Sequence, residues 1–157
     1  LEDVSPREEY RVLRKALKQP QCRLRLLFGS LTVGSLQAVG LRRAHVLHIA
    51  AHGSVDGLIG EQVDRVGFGR RLDVKTIVDN LGGEVKVIVL GACCSLELGN
   101  ALARSGIPHV VATRWEVASN VMDHWSHSFY RALAQRCSIA RAFDLANSAV
   151  AVELGEQ

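Results

Sequence analysis

Apolar residues fall in short, separated runs along the chain, and the period inside each run predicts an element. Ser5, Pro6 and Glu8 open the first: a serine cap, a proline at the first helical position and a glutamate closing a capping box predict a helix. Tyr10, Leu13 and Leu17 share its apolar face, and Pro20 stops it. Residues 22–29 (CRLRLLFG) alternate and predict a strand, and 35–39 (SLQAV) predict a short helix. The run 45–51 (HVLHIAA) is apolar enough for a strand buried on both faces. Five glycines and scattered charge across 53–72 predict a loop or small hairpin, after which Asp73 caps a short helix ending at Leu81, Gly82 and Gly83. A second buried strand follows at 85–92 (VKVIVLGA). Ser95 stands where it can cap a helix running through Leu98 and Leu102 to Ser105 and Gly106, and 109–115 (HVVATRW) predict a third strand. Val121, Trp125, Phe129 and Leu133 recur at i+4, and Ile139, Phe143, Ala146 and Val150 form the apolar face of a last helix after Ser138; both faces need a sheet to cover.

Strands alternating with amphipathic helices imply right-handed crossovers. The fold class expected is α/β with three layers, a mainly parallel central sheet and helices on both faces. A length of 157 residues, 48% of them hydrophobic, fits one domain spanning 1–157. The start at Leu1, with Met122 the sole methionine, is read as a piece of a larger polypeptide. A net charge of +3 and a mean hydropathy of +0.11 exclude a disordered chain. No run approaches ~18 apolar residues and no signal-peptide core opens the chain, so no membrane contact and a cytoplasmic location are expected.

Charge is uneven: residues 1–43 carry nine Lys and Arg against four acids, the remainder ten against twelve. In the basic part Arg, Glu and Leu interleave, and aromatics make up only 5% of the chain, which fits a solvated helix face and no nucleic-acid surface. Cys22, Cys93, Cys94 and Cys137 have no C-x-x-C spacing, which speaks against a disulfide framework and a zinc knuckle.

Ligands of open parallel sheets gather at the carboxyl ends of the strands, so the residues leaving the two most buried strands carry the candidate chemistry. These are His52 and Gly53 after one strand, Cys93 and Cys94 after the other. Paired strands lie ~4.8 Å apart, which would bring an imidazole within reach of a thiol and favour its thiolate. A helix capped by Ser95 would add the partial positive charge of its N-terminus, and the amides of Gly53 and Cys93 could hold a developing oxyanion. Either residue alone reads as core; their joint placement points to a nucleophile beside a base. Cys94, pointing the other way along a strand, is read as packing. His45 and His48 face opposite sides of a strand, His124 and His127 lack a paired acid or cysteine, and Gly67-Phe68-Gly69 is too short to cradle phosphate. No metal, no nucleotide and no other cofactor is expected.

The blocks 45–53 (HVLHIAAHG), 87–95 (VIVLGACCS) and 106–117 (GIPHVVATRWEV), with the closing helices around 129–146, resemble the CHAT domain family of caspase-like cysteine peptidases, in the clan of caspases, metacaspases and separase. The similarity runs over about 8–150. It implies a caspase-like fold, endopeptidase activity on a protein substrate, His52 as catalytic histidine and Cys93 as nucleophile in the A-C-x-S motif. It also implies a regulatory neighbour such as tetratricopeptide-type helical repeats. The substrate-pocket candidates are Asp56 and Glu97, the acids nearest in sequence, with Arg114 and Trp115 of the third block. Where the family has a proline after the tryptophan and, past the valine, an acidic pair, this chain has Glu116, Val117, Ala118 and Ser119. The alternative function is a catalytically silent caspase-like interaction module. The glycine-rich 53–72 segment, with little apolar surface to bury, is expected to gate the dyad.

Overall fold

Val87, Ile88, Val89 and Leu90 are all buried, as an uninterrupted aliphatic run demands of a strand covered on both faces. In the computed structural model, which describes residues 6–20, 22, 24–54, 57–61 and 69–155, this run is the central strand of a parallel sheet. The described residues divide into two compact units, Gly29–Glu116 and Leu1–Phe28 with Val117–Gln157.

In Gly29–Glu116 the elements are α2 (Val33–Leu41), β1 (Val46–Ala50), β2 (Gly53–Ser54), β3 (Gly57–Glu61), β4 (Gly69–Leu72), α3 (Val74–Leu81), β5 (Val87–Gly91), α4 (Leu96–Arg104) and β6 (His109–Val111). The parallel sheet has the order β1-β5-β6, with Ala50 opposite Gly91 and Val89 opposite Val111. Its core joins Ile49, Ile88 and Leu90 to Leu36 of α2, Ile77 and Leu81 of α3, and Leu98 and Leu102 of α4. Burial of each such side chain is worth about 1.5–3 kcal/mol. Thr32 and Ser35 form a reciprocal capping box at the start of α2, and Asp73 caps α3 by accepting the Thr76 N–H at 2.8 Å. The Thr76 hydroxyl, and then this N–H, hold the Asp73 carboxyl below its usual range.

In the other unit α1 (Pro6–Leu17), α5 (Ser119–Ala134) and α6 (Ile139–Gly155) pack together, α5 touching both of the others. Trp125 stacks on Phe129 at 4.7 Å between ring centres, and Phe143 meets Trp125 edge-on at 6.0 Å. The face of α5 expected to need a sheet is thus covered by helices. No described helix is long and apolar enough to cross a membrane.

The mixed α/β class with a parallel sheet is as the sequence predicts, but four local expectations are corrected. The described residues of 22–29 form no strand: Leu24, Leu27 and Phe28 are exposed, and Phe28 lies against Tyr10 at 5.0 Å between rings. Alternation supplied the pattern of a strand there without a ladder among the described residues. The third strand stops at Val111, because Thr113 turns its backbone N–H and its hydroxyl to the loop after β5. Ser95 occupies the N-cap position of α4 without capping it, since its hydroxyl is engaged by Thr113. The 53–72 segment has the expected hairpin pairing, as an antiparallel sheet β2-β3-β4, but Leu58 and Leu72 in it are fully buried. It therefore buries apolar surface that the sequence reading denied it; residues 55–56 and 62–68 lie outside those described. The expected Ser5 cap also lies outside the described residues, although α1 begins at Pro6 as expected.

Candidate active site

The register of β1 on β5 decides what meets at the carboxyl end of the sheet. Ala50 pairs with Gly91, and His52 and Cys93 each lie two residues beyond that pair. Both side chains are exposed. The two exits touch through backbone: a Cβ built on Gly53 would sit 2.5 Å from the Cys93 carbonyl oxygen. Glycine is the residue that permits this approach.

His52 is held by main chain. Its carbonyl accepts the Ile59 N–H at 3.1 Å, and Gly53 stands opposite Leu58 in the next ladder position. Antiparallel pairs alternate between bonded and non-bonded, so the Gly53 N–H points away from β3 and stays available at the edge of β2. Cys93 leaves the sheet differently. Cys94 adopts the left-handed conformation, with φ of 53°, and the chain then enters α4. This sharp turn lifts both cysteines to the surface, correcting the reading of Cys94 as packing: its strand ended at Gly91, and strand alternation no longer governs it. All four thiols are free.

The loop between β5 and α4 is fixed by a residue the sequence reading did not single out. The Thr113 hydroxyl donates to the Ala92 carbonyl at 2.7 Å, and the Thr113 N–H donates to Ser95 Oγ at 3.1 Å. The two hydroxyls also lie 3.4 Å apart; with the Thr113 proton committed to Ala92, Ser95 is the donor. Ala92 and Ser95 are both buried, so the exposed pair Cys93-Cys94 hangs between two anchored residues. Behind it, α4 approaches the segment after β6 so closely that a Cβ on Gly99 would lie 2.7 Å from Ala112 Cβ. The signal in the sequence was a threonine in a block already matched, but its partners lie 18 and 21 residues away.

The pocket candidates are placed less tightly. Glu97 is exposed in the first turn of α4, and Arg114 and Trp115 follow Thr113 directly, Trp115 with 71% of its surface exposed. No described hydrogen bond or ion pair joins Glu97, Arg114 or Trp115 to His52 or Cys93, nor His52 to Cys93. Asp56 lies outside the described residues. A cleft of about 370 Å³ opens at the opposite, amino end of the strands, among Val78, Gly82, Lys86, Gly106 and Pro108. Asp79 and Ser105 also line it, and neither His52 nor Cys93 does. No group of three His, Cys, Asp or Glu able to hold a metal occurs among the described residues.

An imidazole and a thiol at neighbouring strand ends, two backbone N–H groups close by and an uncapped helix N-terminus behind the thiol form an arrangement suited to nucleophilic attack on a carbonyl. No curated protein matches the chain. The family model of the CHAT domain matches residues 3–154, nearly the whole length and with all three motif blocks inside it, so the chain belongs to the CHAT domain family.

Proposed function

We propose that the chain is a cysteine endopeptidase that hydrolyses peptide bonds in a protein substrate, with Cys93 as nucleophile and His52 as its acid and base. The observation that carries this reading is the backbone contact at Gly53, where a Cβ would lie 2.5 Å from the Cys93 carbonyl. It joins the segment bearing the imidazole to the segment bearing the thiol, and membership of a caspase-like family supports the same pairing.

His52 takes the proton from Cys93 Sγ, which leaves the sulfur as the nucleophile. The sulfur attacks the peptide carbonyl carbon, whose oxygen becomes an oxyanion held by the N–H groups of Gly53 and Cys93. Collapse breaks the C–N bond, His52 protonates the leaving amine, and a thioester remains on Cys93. Water then gives a proton to His52 and attacks the thioester, releasing the acid and returning the thiol. Glu97, Arg114 and Trp115 border the substrate, and a helical-repeat neighbour regulates access.

Replacing Cys93 with alanine is expected to abolish cleavage across a peptide library, and His52→Ala to lower it about 10²–10⁴-fold. Cleavage that survives in Cys93→Ala overturns the assignment. A second reading, a caspase-like module kept for binding, is favoured by the absence of a hydrogen bond between the two exposed side chains. An electrophilic thiol probe separates the two: selective labelling of Cys93 supports the enzyme, and equal labelling of Cys93 and Cys94 supports the module.

A further inference from the structure

The Ala92 carbonyl and the Cys93 N–H belong to one peptide unit. That unit is planar, and in the trans form its C=O and N–H point in opposite directions. Whatever fixes the direction of the carbonyl therefore aims the N–H. The carbonyl is fixed by the Thr113 hydroxyl at 2.7 Å, and Thr113 is itself held by its N–H on the buried Ser95 Oγ at 3.1 Å. The Cys93 N–H makes no backbone hydrogen bond among the described residues, so nothing on its own side of the plane orients it.

We infer that Thr113 is a positioning residue: by holding the Ala92 carbonyl, it sets the plane of the Ala92–Cys93 peptide and so aims the Cys93 N–H at the oxyanion. The inference rests on the peptidase reading and deepens it. Ser95 is the second half of the device, because its hydroxyl locks the Thr113 backbone and returns a bond to the Thr113 hydroxyl. The residue at the nominal cap position of α4 thus serves the peptide before the helix and leaves the α4 N-terminus uncapped. Valine at 113 would keep the β-branched shape and lose the hydroxyl; serine would keep the hydroxyl.

A lost oxyanion donor costs about 10²–10³ in kcat, and a misdirected one less. Thr113→Val is accordingly expected to lower kcat about 10–100-fold with KM within about threefold, and to weaken a peptide aldehyde, whose adduct carries the oxyanion, by a similar factor. Thr113→Ser is expected to recover both within about threefold. Ser95→Ala should reproduce the valine effect in part. Unchanged kcat in Thr113→Val, a loss confined to KM, or a serine variant as impaired as the valine one overturns the inference. If Thr113→Val does not fold, the aldehyde affinity of Thr113→Ser and Ser95→Ala decides, and wild-type affinity in Ser95→Ala overturns it. Alkylation keeps the two ideas apart: equal rates at Cys93 and Cys94 in the wild-type chain overturn the peptidase reading, whereas selective labelling with wild-type kcat in Thr113→Val overturns the inference alone.

Discussion

The two halves of the proposed dyad are held by different means. His52 continues into a ladder, with its carbonyl bonded to Ile59 and the next residue paired with Leu58, so its position is set by main chain that most residue types could supply. Cys93 sits on a turn whose flanks are pinned by two hydroxyls, one on each side of the exposed thiols. A backbone-held group tolerates changes of side chain around it; a side-chain-held group depends on one atom. The histidine end should thus fail through shape, the cysteine end through single hydroxyls.

Gly53→Ala is the sharpest way to break the histidine side. Its Cβ would meet the Cys93 backbone carbonyl oxygen at 2.5 Å, so main chain has to move, and a displacement of about 1 Å at reacting groups costs about 10²-fold in kcat. Wild-type turnover in that variant would mean the two exits are not in contact. Gly99→Ala tests the packing behind the cysteine turn: it forces α4 from Ala112 and is expected to cost about 1–3 kcal/mol, read from denaturant unfolding, with activity reduced several-fold. Trp125→Phe, in the helical unit, removes the 2.9 Å bond to Asn147 and should cost about 1 kcal/mol with Cys93 alkylation unchanged. A change in alkylation there would couple the site to a region that carries none of its chemistry.

The smallest effect is one of pH. Burial, and then the charges of Lys15, Arg131 and His124, hold His127 below the usual histidine value of about 6.5. The unfolded chain therefore takes up this proton before the folded one. The stabilising contribution is complete above about 6.5 and declines as pH falls from there toward the lowered folded value. Melting temperatures between pH 7.5 and 5.5 should fall less steeply in His127→Gln than in the parent, and equal slopes would remove His127 as the cause. Asp123 works the other way: burial, then Glu9 and Glu8, raise its carboxyl, so its contribution is present in acid and is lost as pH rises through the folded value.

What could be read from the sequence follows from the range of each interaction. The run at 85–92 announced a buried strand because aliphatic burial is written in consecutive residues, and Asp73 announced its helix because a cap and its N–H lie three residues apart. The placement of His52 and Cys93 at neighbouring strand ends was legible once the two strands were paired, a single step of topology. Ser95 misled for the same reason Asp73 did not: both stand before a helix, but the Ser95 hydroxyl has a partner 18 residues on that competes with the local amide. Residues 22–29 misled because a period of two states which side chains agree and leaves open whether a neighbouring strand exists. Cys94 was misjudged by extending the strand one step too far, past the residue whose φ ends alternation.

The left-handed turn at Cys94 leaves two adjacent thiols in water. Dissolved peroxide reaches both without any opening of the fold, and an exposed thiol is oxidised to sulfenic acid and then, irreversibly, further. The turn thus presents both thiols to oxidants, and a preparation stored without reductant should lose titratable thiol at 93 and 94 before it loses any at the half-buried Cys22 and Cys137.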